Sequence, residues 1–130
     1  MDSANTAAIK ARMTAGSVAS SDYAAGMASA YAGGGLTDWF LPSKDELNAM
    51  CNYSRNPTAP AAPSVSCYGS APGSTQDGTF AAGAYGFASA NYWSSSQKYA
   101  YSAWSQFLDV GSATNDFKTD PLRVRPVRAF

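Results

Sequence analysis

Apolar side chains recur at helical spacing in the first half of the chain and alternate with polar ones in the last third. Asn5–Met13 therefore reads as a short helix and Asp22–Tyr31 as a second, with Ser21 or Asp22 as its N-cap. On the second helix Tyr23, Met27 and Ala30 fall on one side and are expected to face the core. Gly33, Gly34 and Gly35 end it, and with no lysine and Ser/Thr pair behind them they do not form a phosphate loop. Asp38–Leu41 is expected to be a short apolar strand. After Pro42, Ser43 and Glu46 have the Ser-x-x-Glu form of a capping box, which predicts a helix from Lys44 to about Asn52. From Tyr53 to Ala84 no period is visible, and the abundance of Pro, Gly, Ser and Ala predicts a long irregular excursion. Tyr92–Ser96, Ala103–Phe107 and Arg123–Arg128 are expected to be three strands of an antiparallel sheet, with Pro126 at an edge or a bulge because it has no N–H to donate. The expected fold class is α+β: two or three short helices on small antiparallel sheets with long irregular loops, in a single domain spanning residues 1–130 with no internal repeat.

Composition narrows the function. The 130 residues carry 9 Lys plus Arg against 9 Asp plus Glu, so no net field steers the molecule toward nucleic acid or an acidic membrane. The three arginines of Arg123–Arg128 are expected to be solvated or ion-paired. Histidine is absent, which removes the usual general base, the commonest metal ligand and the partner that activates a serine or cysteine nucleophile. Asp45 and Glu46 suit a helix N-terminus better than acid–base chemistry. An enzyme, a cofactor and a metal site are not expected. No apolar run approaches the ~20 residues of a membrane helix, and nothing near Met1 has the form of a signal peptide. Cys51 and Cys67 enclose a stretch with Pro57, Pro60 and Pro63 and little that could pack, so a disulfide worth about 3 kcal/mol is expected there, two unlinked thiols being the alternative.

Four segments occur in order: Gly35–Leu47 (reading Gly-Leu-Thr-Asp-Trp-Phe-Leu-Pro-Ser-Lys-Asp-Glu-Leu), Tyr92–Ser96, Ala103-Trp104 with Phe107 and Gly111, and Arg123–Phe130. Together they resemble bacterial and phage domains with a C-type-lectin-like fold of the formylglycine-generating-enzyme type, a group that includes the variable proteins of diversity-generating retroelements. The resemblance implies a scaffold containing Trp39, Trp93, Trp104, Phe107 and Gly111, with Trp93, Trp104 and Phe107 as buried anchors and Gly111 in a tight turn. It also implies a variable region at residues 97–120, in which template adenines are mutagenised. Asparagine codons can then become many residues, but not Lys, Glu, Gln, Met or Trp. In Gln97–Asp120 those types occur only as Gln97, Lys98, Trp104, Gln106 and Lys118. The remaining non-scaffold positions Tyr99, Tyr101, Ser102, Ser105, Leu108, Asp109, Val110, Ser112, Ala113, Thr114, Asn115, Asp116, Phe117, Thr119 and Asp120 are all reachable from an asparagine codon.

The function implied is a non-catalytic, receptor-type variable protein that displays those side chains on a rigid scaffold. Its partner would be a protein on a host or target surface, and its place a virion surface or the outside of a cell, either as a domain of a longer chain or as a protein delivered with a particle. The alternative is a lectin-like surface domain of fixed specificity for protein or carbohydrate. Calcium-dependent sugar binding is disfavoured, because the Glu-Pro-Asn, Gln-Pro-Asp and Trp-Asn-Asp triplets of such lectins are missing. The copper-holding cysteine pair of the fold's oxidases cannot be carried onto Cys51 and Cys67, which lie elsewhere in the chain. Tyr99, Tyr101 and Phe117 would supply large, stiff contact area, as aromatic residues do in antibody paratopes. Tyr99 and Tyr101 lie two apart, so they are expected to be displayed together or buried together.

Overall fold

The computed structural model describes residues 3–68, 87–88, 90–108 and 110–129. Its elements are α1 (Ser3–Ala15), α2 (Ala24–Ala30), α3 (Lys44–Arg55), β1 (Asn91–Tyr99), β2 (Ser102–Phe107) and β3 (Ala113–Phe117), with 3-10 turns at Ser20–Asp22 and Gly33–Gly35. The strands form one antiparallel sheet in the order β1-β2-β3, which makes the fold α+β. Most of the excursion expected between Tyr53 and Ala84 lies outside the described residues. The part that is described, from Asn56 to Tyr68, has no helix or strand.

The sheet is covered on both faces, and β1 divides the two cores. Successive side chains on a strand point to opposite faces. Tyr92 accordingly enters one apolar cluster with Leu47, Cys51, Cys67, Phe87 and Leu108, while Trp93 enters another with Ala25, Ala28 and Leu41, edged by Ile9, Tyr23, Ala103, Leu122 and Val124. The first cluster lies under α3 and the second under α1 and α2.

α3 begins as the capping-box pattern predicts. The Ser43 hydroxyl accepts from the Glu46 backbone N–H at 3.1 Å, and the Glu46 carboxylate accepts from the Ser43 N–H at 3.3 Å. The helix runs one turn further than expected, to Arg55. Its start is docked onto β1 where the strand bulges at Ser94–Ser96. Here the Ser95 N–H donates to the Pro42 carbonyl at 2.8 Å and the Lys44 N–H donates to the Ser96 hydroxyl at 3.0 Å. The Leu-Pro-Ser-Lys and Tyr-Trp-Ser-Ser-Ser segments, more than forty positions apart, thus meet as one joint.

Several sequence expectations are corrected. The second helix is split: Tyr23 is extended, so a 3-10 turn precedes it and α2 starts only at Ala24, without a side-chain cap from Ser21 or Asp22. Its inward residues are Ala25, Gly26 and Ala28, whereas Met27 and Ala30 are exposed and Tyr23 alone of the expected set is packed inward. Close approach selects small residues here, since a Cβ on Gly26 would lie 2.7 Å from the Tyr23 ring. The expected strands at Asp38–Leu41 and Arg123–Arg128 are reduced to isolated bridges, Phe40 with Val127 and Tyr92 with Arg123; the next hydrogen-bonding position of the Phe40 ladder falls on Pro42, which has no N–H to donate and whose carbonyl accepts from Ser95. β3 was not expected. Its sequence, Ala-Thr-Asn-Asp-Phe, is poor in strand formers, and it is held by pairing with β2 rather than by propensity. At the chain's C-terminal end the Arg128 guanidinium grips the Asp38 carboxylate at 2.8 Å through two nitrogens, and this hydrogen bonding holds that carboxyl below its ordinary pKa.

Cys51 and Cys67 form the expected disulfide, with Cα atoms 6.0 Å apart. The bridge sits against the turn between β2 and β3. Gly111 has φ +86°, and a Cβ there would lie 2.8 Å from both the carbonyl carbon and the carbonyl oxygen of Cys67. Only glycine satisfies both conditions, so Gly111→Ala is expected to lower stability by about 2 to 3 kcal/mol, measured by denaturant melts with the disulfide intact.

Candidate ligand-binding surface

The β1–β2 hairpin ends in an aromatic cluster. Tyr99, Ser102 and Phe117 are register partners across the three strands, so their side chains share one face. Tyr101 sits in the connecting turn beside them. The Tyr99 and Tyr101 rings stack at 5.9 Å with 25° between planes, and Phe117 lies 5.9 Å from Tyr101. All three are exposed, at 51%, 63% and 60% of their surface. The paired expectation for Tyr99 and Tyr101 therefore resolves as display. Three adjacent exposed rings are a large apolar surface for a chain of balanced charge.

Neighbouring side chains hold this tip from the sides. The Lys118 ammonium donates to the Gln97 side-chain oxygen at 2.7 Å and to the Ala100 carbonyl at 3.0 Å, which clamps the turn between Tyr99 and Tyr101. Lys98, an extra residue between the paired positions Gln97 and Tyr99, lies 5.5 Å from the Tyr99 ring centre and 4.2 Å from that of Trp104. The Lys44 ammonium lies 4.3 Å from the same indole. Deeper in the sheet, the Gln106 amide is buried and donates to the Asn48 side-chain oxygen at 3.2 Å and to the Gly111 carbonyl at 3.1 Å. Gln97, Lys98, Trp104, Gln106 and Lys118, set apart by codon chemistry, are thus bracing residues of the hairpin and its turns.

The fifteen candidate contact residues divide by burial. Tyr99, Tyr101, Val110, Ala113, Thr114, Phe117 and Thr119 are exposed; Ser112, Asn115, Asp116 and Asp120 are half-buried. Ser102, Ser105 and Leu108 are buried, which corrects the expectation that they are displayed. Ser102 lies between the aromatic residues of its register partners, and its hydroxyl has no partner among the described residues. The Ser105 hydroxyl donates to the Asp116 carboxylate, and Leu108 fills the cluster beside the disulfide. Asp109 lies outside the described residues. Among the scaffold residues, Trp93 is buried and Gly111 makes its turn, but Trp39, Trp104 and Phe107 are only half-buried. Trp104 differs from the expected buried anchor because its ring is covered by lysine side chains rather than by apolar core.

The sequence could not show these lysine contacts, since Lys44 and Trp104 meet only through the docking of α3. The one available signal was the row of residue types at 97, 98, 104, 106 and 118. Among the described residues no cluster of His, Cys, Asp or Glu could hold a metal ion, and no helix is long and apolar enough to cross a membrane. Compared with known families, residues 3–128 match the model of the Lcl C-terminal domain. No curated protein and no solved structure matches the chain. Because the Trp104 ring is covered by flexible ammonium groups, Trp104→Ala is expected to cost about 1 to 2 kcal/mol by thermal melting, below the ~3 to 5 kcal/mol typical of a fully buried tryptophan.

Proposed function

The chain belongs to the Lcl C-terminal domain family, and on that premise we propose that it is a non-catalytic, cofactor-free binding module of C-type-lectin-like fold whose β1–β2 tip engages a protein on a host or target surface. At the finer level it is a variable protein diversified by a retroelement. The observation that carries this proposal is the exposed, mutually stacked set Tyr99, Tyr101 and Phe117, mounted on a hairpin braced by residues outside the set. Stiff aromatic side chains on a preformed support lose little freedom on binding, which favours affinity. The bracing matters as much as the rings. A surface whose contact residues are interchangeable needs a conformation that does not depend on them.

The alternative is a lectin-like domain of fixed specificity. It is favoured by Ser102, Ser105 and Leu108, since positions inside the sheet accept few side chains without repacking. Two measurements decide. Protein ligands selected from a display library should lose about tenfold or more in affinity with Tyr99→Ala, Tyr101→Ala or Phe117→Ala, while stability moves by less than about 1 kcal/mol; unaltered affinity would move the site elsewhere. Sequencing residues 97–120 across a source population, with the flanking DNA, should show substitutions traceable to an adenine-rich template copy, concentrated at the exposed positions and restricted at Ser102, Ser105 and Leu108. Invariant sequence without such a copy would leave the fixed-specificity domain.

A further inference from the structure

β3 is the outer strand of the sheet, and among the described residues nothing pairs with the outward backbone of Ala113 and Asn115. In an antiparallel pair, residues alternate between exchanging hydrogen bonds with the partner strand and pointing them away. The bonds from the Phe107 N–H to the Ser112 carbonyl and from the Lys118 N–H to the Tyr101 carbonyl fix that alternation. Ser112, Thr114, Asp116 and Lys118 therefore face β2, while Ala113, Asn115 and Phe117 turn their N–H and C=O groups outward. The outward direction at Phe117 is visible directly: its N–H donates to the Asp120 carboxylate at 3.1 Å. Asp120 closes that end, leaving Ala113 and Asn115 as the open stretch.

Edge strands in folded proteins are usually guarded by a bulge, a proline or an outward lysine. β3 has none of these. Its register with β2 runs without a shift, and no proline interrupts Ala113–Phe117. The two charged residues that might guard it are drawn away, Asp116 onto the Ser105 hydroxyl and Lys118 back over the hairpin turn. Phe117 belongs both to this strand and to the aromatic cluster, so the open edge and the rings form a continuous surface.

We propose that β3 receives an extended segment of the partner protein as a fourth strand, paired to the backbone of Ala113 and Asn115, with the aromatic cluster contacting that segment's side chains. The inference rests on the proposal that the tip binds protein, and it supplies what interchangeable side chains lack: a recognition element that survives their substitution. Backbone pairing gives affinity with any residue but proline at 113 or 115, and the rings give selectivity. A sheet edge fits a polypeptide strand better than a sugar, because its alternating donors and acceptors repeat at the spacing of another backbone.

The test uses linear peptides selected from a displayed random library against the whole chain. Asn115→Pro removes an outward N–H without touching the β2–β3 ladder, a position where edge strands tolerate proline; Asn115→Ala removes only the side chain. Asn115→Ala reports the side-chain contact alone, and binding should fall about tenfold or more further with proline than with alanine, each tenfold being about 1.4 kcal/mol. N-methylating alternate peptide residues should abolish binding in one phase and spare it in the other, which keeps the test decisive if Asn115→Pro does not fold. Equal affinity for the proline and alanine variants, or failure to select any linear peptide, would overturn strand addition. So would a concentration-dependent dimer of the chain that disappears with Asn115→Pro, since the edge would then serve a second copy. If Tyr99→Ala weakens ligand binding while Asn115→Pro does not, the binding surface stands and only strand addition falls.

Discussion

Tyr92 and Trp93 are neighbours on one strand and cannot share a face, and the rest of the molecule is arranged around that divergence. Each large ring needs its own apolar enclosure, so the sheet needs a layer on either side. α3 and the disulfide supply one; α1, α2 and the C-terminal segment supply the other. A slip of one residue in β1 would exchange the two rings and satisfy neither layer. The serines that follow absorb the mismatch between this rigid register and the hairpin. Their bulge lets the strand both reach the start of α3 through Ser95 and Ser96 and continue to Tyr99.

The division between support and display follows the same geometry. Where the sheet lies under α3, polar side chains are buried and joined, as Gln106 is to Asn48. Toward the tip the covering helix ends, and Trp104 is met by the ammonium groups of Lys44 and Lys98 instead of by apolar core. One step further out Tyr99, Tyr101 and Phe117 are more than half exposed, with Lys98 beside the Tyr99 ring. Ring exposure thus rises along the hairpin from Trp93 to the tip while Ser102 stays buried, and the change from bracing to contact residue happens within a few positions.

What could be read from the sequence was local chemistry with one solution. Ser43 and Glu46 specify a helix start whatever surrounds them, and the aromatic-rich segments around Tyr92 and Trp104 read as strands because their side chains suit a pleated surface. The disulfide was legible from what its loop lacks. Illegible were features that arise only when distant segments meet. β3 contains Asn and Asp, which disfavour strands, and exists because β2 offers it a ladder. On α2, helical spacing pointed to Met27 and Ala30, but the close packing of Tyr23 and Ser20 gave the inner side to Ala25, Gly26 and Ala28. At the tip the codon pattern sets Gln97, Lys98 and Lys118 apart from the rings, and all three are exposed side chains that contact the hairpin's own residues. It could not see that Ser102, Ser105 and Leu108 point inward, since codon chemistry carries no information about depth.

Asn48 has a consequence for how the molecule opens. Its amide donates to the carbonyls of Pro63 and Val65, and its oxygen accepts from the Cys67 N–H and from Gln106, which is 58 positions away. One side chain on α3 therefore ties the segment before Cys67, the disulfide and the middle strand together. Unfolding α3 breaks all of these bonds at once, and the covalent bridge cannot replace them. In hydrogen exchange such a node makes its segments exchange as one unit rather than fray separately. The helix and the β2–β3 turn should then share a single opening free energy, which makes one cooperative block of α3 and the turn that leads into β3.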